Sequence, residues 1–234
     1  ARRRTYPAVF PFLHLDHIDP AVLHEQPLGS LNELPVGERR RFAGVTCRCL
    51  DENGNRIGPP FPNHLFDSDA REVYFRYRIS AELWGAARVG ILPQYRFDEA
   101  LRGTYVPEGT LWFGIAREYR SRYVDEGLRV YHRHDGPSIM ATNVLGVSPG
   151  GRAAAVAMLN DDLAYWWANP GAFLRTAVLY GRFCRHLGIP LLQQLQAVTP
   201  FLGRALVLAA LPMSYLLFRR DVSRLKRDTR TLAA

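Results

Sequence analysis

An acidic residue near the middle of the chain directly precedes a predicted helix. Residues 107–109 are Pro-Glu-Gly, and apolar residues at helical spacing follow as far as residue 119. Glu108 can take a proton from an attacking hydroxyl group, which is general-base catalysis. It can equally complement the helix dipole, as acidic residues in first turns do. The local sequence leaves both roles open.

Two acidic pairs elsewhere have the residue types that hold a divalent cation. Asp16 and Asp19 flank His17 near the N-terminus, while Asp67 and Asp69 form an Asp-x-Asp motif. The first pair is either a variant metal motif or a chance surface feature. For the second pair, a cap or a turn is the better explanation, because it directly precedes a periodic run.

Two histidines close a predicted strand. His132 and His134 lie at its end, where alternation places both on one face. Imidazole beside carboxylate oxygens suits Mn²⁺, but polar residues at the surface end of a strand also account for the pair. Arg129 and Arg133 occupy alternate positions, where they can meet a diphosphate or remain solvated.

The composition narrows the classes of partner. A net charge of +8 suits nucleic acid, anionic lipid or phosphorylated small molecules. The basic residues are dispersed except at the C-terminal tail, and no nucleic-acid motif is recognisable, so no nucleic-acid partner is expected. The chain has three cysteines, which is a small and uneven number and therefore argues against the disulfide framework of a secreted protein. They are expected to be half-buried free thiols in a reducing cytoplasm.

Local signals predict a mixed α/β layer over residues 40–135. Residues 42–61 are a predicted hairpin that turns at Asn53 and Gly54 and returns from Arg56. Alternation within residues 69–80 favours a strand in the second half of that segment. The helix after Glu108 is followed by a strand in which Gly127 is the expected bend.

Beyond residue 136 the pattern becomes helical. Amphipathic helices are predicted at residues 152–167 and 170–187, and a last apolar helix at residues 201–220. The uninterrupted apolar part of that last helix is shorter than the roughly 20 residues needed to span a bilayer. Cations follow it, which suits a helix at an anionic membrane interface. A packed helix hairpin with a solvated basic tail is the alternative.

Four segments, in this order, resemble the C-terminal half of family 2 glycosyltransferases of the GT-A fold. They are RRRFAGVTCRCLDENGNRIGPPFP, FDSDAREVYFRYRISAELWGAARVGIL, YVPEGTLWFGIAREYRSRYVDEGLRVYHRHD and LNDDLAYWWANPGAFLRTAVLYGRFCRHLGI. The apolar ending is similar to the tails of bacterial members. The resemblance implies an α/β protein, a partial GT-A (Rossmann-like) domain followed by C-terminal helices.

The same resemblance implies an inverting transferase that uses a nucleotide-sugar donor. In the family, the N-terminal half holds the nucleotide, and a divalent metal, Mn²⁺ or Mg²⁺, lies on the diphosphate. The C-terminal half supplies the acceptor side and the base. The acceptor is expected to be a glycan or a lipid-linked molecule, and the location the cytoplasm, peripheral at the inner face of the plasma membrane.

Seven residues are the candidates for this activity. They are Glu108 as the catalytic base; Trp84, Trp112 and Arg129 for substrate binding; and Asp16, Asp19 and His134 for the metal. For the two tryptophans, stacking on a sugar ring competes with core packing. The second acid that is usual in the family is absent, because residue 109 is Gly.

The start of the chain departs from the family. Residues 1–37 are expected to be an irregular or degraded segment, residues 38–140 the acceptor-side half, and residues 141–234 a helical region with an apolar tail. Because the nucleotide-binding half is not recognisable, we expect a truncated enzyme that is inactive as given. A non-catalytic remnant that binds a membrane or a partner is the alternative.

Overall fold

The computed structural model describes residues 33–88, 90–132 and 144–232, with side chains as far as residue 227. These residues form two compact units. The sheet unit takes its described residues from Ala1–Ala70, Ile79–Gln94 and Ala116–Arg133, and the helical unit from Arg71–Arg78, Tyr95–Ile115 and His134–Ala234. Two segments of the predicted 38–140 domain therefore cluster with the C-terminal helices.

A mixed four-stranded sheet forms the sheet unit, and helices follow it along the chain, which confirms the α/β class. The strands are β1 (Phe42–Leu50), β2 (Leu65–Ser68), β3 (Leu83–Ala87) and β4 (Arg120–Val130), in the order β2-β4-β1-β3. Strand β1 runs parallel to β4 and antiparallel to β3, and β2 runs antiparallel to β4. The expected pairing of the first strand with the strand near residues 123–131 is thus confirmed.

The predicted hairpin is only partly present. Gly54 has φ +82° and the carboxylate of Asp51 accepts hydrogen bonds from the backbone of Asn53 and Asn55, so the turn forms where the sequence predicts it. The return strand is reduced to a single bridge between Leu50 and Arg56. The neighbours of β1 in the sheet are β3 and β4 instead.

The strand predicted in the second half of residues 69–80 is wrong. The chain forms helix α2 (Ala70–Phe75) instead. After the helix, Arg78 has a left-handed backbone conformation with φ +54°. Phe75 is fully buried and stacks on Tyr165 and Phe173 at centroid distances of 5.1 and 5.0 Å. Tertiary packing of this ring in the helical unit overrides the local alternation.

The expected bend in β4 is a break in strand register. Cys47 pairs with Val124, but the next residue of β1, Arg48, pairs with Gly127. The side chain of Leu50 occupies the space beside Gly127, where an added Cβ would lie 2.2 Å from Leu50 Cδ2. A side chain at residue 127 would require Leu50 to move.

Seven helices of four or more residues occur in the described part of the chain. Besides α2 they are α1 (Val36–Arg39), α3 (Gly109–Ile115), α4 (Val144–Asp161), α5 (Pro170–His186), α6 (Leu191–Ala197) and α7 (Phe201–Leu232). Asn169 caps α5 by accepting a hydrogen bond from the backbone of Ala172, and Gly188 follows its end with φ +67°. The predicted limits of α5 are confirmed, whereas α4 begins and ends earlier than predicted.

The core of the helical unit lies on one face of α5. Phe173, Ala177, Tyr180 and Cys184 recur at helical spacing and are fully buried. The hydroxyl of Tyr180 donates to the backbone oxygen of Gln194 at 2.9 Å. The apolar periodicity of this segment therefore comes from packing in a helical core.

A buried charge cluster joins α5 to α7. Arg182 donates to both carboxylate oxygens of Asp221, at 2.6 and 2.8 Å, and His186 Nε2 lies 2.9 Å from the same carboxylate. Burial by itself would raise the pKa of Asp221, but the hydrogen bonds from Arg182 and His186 outweigh it and lower the pKa. The carboxylate thus stabilises the folded chain in its ionised form.

Asp221→Asn should destabilise the folded chain by about 1–3 kcal/mol at neutral pH, because it leaves the half-buried Arg182 without its counter-charge. In the wild type, this stabilisation is present above the ordinary pKa of 3.8 and is lost as pH falls through the lower folded pKa. Urea unfolding between neutral and acidic pH measures both effects. Glu52→Gln, at an exposed pair with His132, should cost below about 1 kcal/mol. Equal effects of the two substitutions would contradict the assignment.

Candidate functional site

Glu108 immediately precedes α3, as the sequence predicts. Its backbone oxygen accepts hydrogen bonds from the amides of Leu111 and Trp112, at 2.9 and 3.3 Å. The oxygen of Pro107 accepts from the amide of Thr110 at 3.1 Å. Pro107 restricts the backbone before the helix, and the first helical hydrogen bonds follow directly. The backbone that carries the Glu108 side chain therefore has a defined conformation.

Glu108 and Trp112 lie on the same side of the first turn. They are four residues apart and joined by a helical hydrogen bond, which brings positions i and i+4 to one face. Both side chains are half-buried, and Leu111 and Ile115, which follow Glu108 at i+3 and i+7 on the same side of the helix, are buried. The structure thus brings together two of the predicted site residues, a carboxylate and an aromatic ring, at the edge of the core.

The segment before Glu108 is held by a backbone contact with α4. A Cβ added to Gly150 would lie 2.0 Å from the backbone oxygen of Tyr105 and 2.9 Å from Val106 Cα. Only glycine permits this approach. Sequence reasoning missed Gly150, although the Gly150–Gly151 pair inside a helical stretch is a signal of close packing.

The other two predicted substrate-binding residues belong to the sheet unit. Trp84 lies on β3 opposite Cys47 and is 7% exposed. A ring so deeply covered has little free face for a sugar, and core packing describes its position. Arg129 is half-buried on β4 opposite Cys49.

The predicted metal ligands lie outside the described residues. This holds for Asp16, Asp19 and His134. Among the residues that the structure describes, no group of three or more His, Cys, Asp or Glu side chains could hold a metal ion. His132 Nδ1 lies 3.1 Å from a carboxylate oxygen of Glu52 at the surface. The described part of the chain therefore supplies no donor set for Mn²⁺ or Mg²⁺.

The Asp-x-Asp motif contains an ion-paired residue. Asp67 lies on β2 directly opposite Arg122 of β4, and Arg122 donates to both of its carboxylate oxygens at 2.8 and 2.7 Å. This hydrogen bonding raises the pKa of Arg122 further. Asp67 is thus a cross-strand partner, a role that differs from the expected cap or turn.

Asp125 is also held by ion pairs with arginines. Arg48, which is 4% exposed, lies 3.3 Å from one of its oxygens, and Arg56 lies 3.0 Å from the other. The backbone amide of Phe61 donates to the same carboxylate at 3.2 Å. Asp125 therefore ties β4 to β1 and to the segment after the turn. The sequence contained one indication of this buried ion pair: Arg48 is a charged residue between two apolar positions of a strand.

The cysteines are more deeply buried than predicted. Cys47, Cys49 and Cys184 are at most 1% exposed, and all are free thiols. Burial raises the pKa of Cys47 to about 12 and also raises the pKa of the other two. Protonated, covered thiols are poor nucleophiles, so these side chains act as core residues.

Comparison with known proteins adds no assignment, since no protein family, curated protein or solved structure matches this chain.

Gly150→Ala should destabilise the helical unit by about 1–3 kcal/mol, because the new methyl group displaces the segment that carries Glu108. Gly171→Ala is the matched control, since that glycine is also helical and its nearest neighbour would lie 3.9 Å away. The control should be neutral or slightly stabilising. Thermal unfolding of both variants provides the comparison. An unchanged midpoint for Gly150→Ala would mean that residues 105–106 are not held as described.

Proposed function

We propose that this chain is the acceptor-side part of a family 2-like, inverting glycosyltransferase, and that Glu108 is its general base. The proposal joins the resemblance of four ordered segments to one structural observation. Glu108 and Trp112 occupy one half-buried face at the start of α3, on a corner that Gly150 holds. A carboxylate beside an aromatic ring is suited to a hydroxyl group on a sugar or a lipid-linked acceptor.

The chemistry at Glu108 is a single proton transfer. An acceptor hydroxyl oxygen forms a bond to the anomeric carbon of the donor sugar while its proton passes to the Glu108 carboxylate. The bond to the nucleoside diphosphate breaks, and the leaving group keeps the electron pair. A divalent metal would neutralise charge on that leaving group, and no residue of the described chain is assigned to it.

The environments of the other acids support the choice of Glu108. Asp125 is held by two arginines, and Asp67 is paired with Arg122. Asp98 caps a short helix by accepting a hydrogen bond from the amide of Ala100 at 2.9 Å. These contacts account for the positions of the three aspartates without a catalytic role.

In an enzyme that contains both halves, Glu108→Gln should lower turnover about 10²–10⁴-fold, because the amide cannot accept the proton. Donor affinity should hardly change, since contacts outside this corner hold the donor. Release of nucleoside diphosphate from UDP-, GDP- and dTDP-sugars, with Mn²⁺ and a bacterial glycolipid extract as acceptor, measures turnover. Calorimetry measures donor binding. Glu118→Gln, an exposed acid after α3, is the control.

Two results would contradict the assignment. Turnover above about a tenth of the wild-type rate would make Glu108 an acid that only complements the helix dipole. Loss of donor affinity together with the rate would make the corner a packing feature.

A specific observation favours a second role, association with a membrane surface. By length and composition alone, Phe201–Arg227 in α7 could cross a membrane, and 28% of its most apolar window is buried. One face of α7 packs in the core through Leu206, Val207 and Ala210. The other face is exposed over more than four turns and is apolar apart from Arg204; on it Phe201 is 86% and Leu216 60% exposed.

The exposed face changes from apolar to cationic along the helix. Its last part carries exposed cations: Arg219, Arg220, Arg224, Lys226 and Arg227. The acid in this stretch, Asp221, is buried and paired with Arg182. A helix with one packed face, one apolar face and a cationic end suits an in-plane position at an anionic bilayer surface. We therefore place the enzyme peripherally, at the inner face of the plasma membrane.

Removing two of these cations should weaken binding to vesicles that contain phosphatidylserine. Each cation near an anionic leaflet contributes on the order of 1 kcal/mol, so Arg220→Gln with Arg224→Gln should weaken binding about tenfold or more. Arg40→Gln with Arg41→Gln removes the same charge from exposed residues of the sheet unit and should have little effect. Co-sedimentation at low salt measures both.

The apolar face has a separate test. Leu208→Gln with Leu216→Gln should reduce binding without unfolding the chain, because both side chains are exposed. Equal pelleting of all variants, or self-association of the wild type in place of vesicle binding, would contradict the membrane role.

A further inference from the structure

Trp167 has the most exposed of the large apolar side chains in the described chain, at 89%. Its neighbour Trp166 packs on Phe173 at a centroid distance of 6.2 Å. The two indoles meet edge to face, with centroids 6.5 Å apart and an interplanar angle of 72°. One tryptophan thus packs in the core while the next presents its ring to solvent.

Trp167 forms one wall of a cleft of about 420 Å³ in the helical unit. Arg71, Arg76, Asp161 and Tyr165 line the rest, together with two alanines. This volume falls within the roughly 300–1,000 Å³ that is usual for small-ligand sites. The cleft therefore combines a broad aromatic face with two guanidinium groups and a carboxylate.

The walls of this cleft are supported from behind. The ring of Tyr165 stacks on Phe75 at 5.1 Å, and the guanidinium of Arg71 lies over it at 5.8 Å. Arg71 also lies 3.6 Å from the carboxylate of Asp162, which is 1% exposed. Since these contacts hold the loop before α5 in place, the cleft has a defined shape before any ligand binds.

The polar groups at the rim are accessible. The side chain of Arg76 is 64% exposed while it pairs with Glu72 at 3.0 Å, and Asp161 is exposed. A pyranose has an apolar face that packs on an indole and equatorial hydroxyl groups that bind guanidinium and carboxylate groups. An exposed indole in the same cleft as an arginine and an aspartate offers both kinds of contact.

We propose that the Trp167 cleft binds a saccharide, with one sugar ring stacked on the Trp167 indole and hydroxyl groups on Arg76 and Asp161. Saccharide binding itself stands on the cleft alone. That the bound sugar belongs to the acceptor of the transfer reaction rests on the proposed function.

The test uses the 234-residue chain and a panel of real sugars: methyl β-glucoside, cellobiose, lactose, chitobiose and digalacturonic acid. Calorimetry and ligand-observed NMR measure binding without any need for turnover. We expect at least one of them to bind at millimolar concentration. Trp167→Ala should weaken that binding about tenfold or more, each factor of ten being about 1.4 kcal/mol. Trp167→Tyr, which keeps a ring, should weaken it only a few-fold.

Phe201→Ala is the matched control, because Phe201 is a similarly exposed aromatic residue on the proposed membrane face. It should leave sugar binding unchanged. Arg76→Gln should weaken binding with the tryptophan intact. Circular dichroism shows whether each variant is folded, which is expected because the substituted side chains are exposed.

Three outcomes would overturn the proposal. They are no binding by any sugar of the panel, equal binding by Trp167→Ala, and loss of vesicle binding in Trp167→Ala without any sugar binding. The last would make Trp167 an interfacial membrane residue. Sugar binding without transferase turnover in the complete enzyme would refute the proposed function alone, and turnover without sugar binding would refute the cleft alone.

Discussion

The contact between the backbone of residues 105–106 and Gly150 is the constraint on which the helical unit depends. It holds the corner that carries Glu108 against α4. The next residue, Gly151, gives the same close approach to the ring of Phe183 on α5, where an added Cβ would lie 2.5 Å from Cε2. Helix α5 in turn packs on α7 through its ion pair with Asp221. A continuous series of packed contacts therefore connects the proposed base to the helix with the exposed apolar face.

Ion pairs with arginine distinguish the acidic residues that stabilise the fold from those that remain candidates for catalysis. Asp67, Asp125 and Asp221 each accept hydrogen bonds from arginine, and in each case the arginine comes from another strand or helix. Such pairs fix register and packing, and losing one partner leaves a costly buried charge. Acids of this kind are poor candidates for proton transfer, because their negative charge is already compensated.

The sequence could predict features that depend on neighbouring residues, and it failed where distant residues decide. The Asn53–Gly54 turn, the cap at Asn169 and the start of α7 follow from local chemistry and were found. The prediction of a strand after Phe75 was wrong because Phe75 stacks on Tyr165 and Phe173, which lie some ninety residues further along the chain. For the candidate site, Glu108 could be placed before its helix, and the Gly150–Gly151 pair indicates close packing, but the sequence does not show that the partner of Gly150 is the backbone oxygen of Tyr105.

Helix α7 has its packed and its exposed faces on one continuous backbone. Gly203, Ser214 and Asp221 face the protein, whereas Leu208, Met213 and Leu216 face outward. Deleting the helix would uncover the α5 core, so the helix is an integral part of the helical unit. Its two faces are expected to diverge at different rates, because inward residues must change together with α5 and outward residues are free of that constraint.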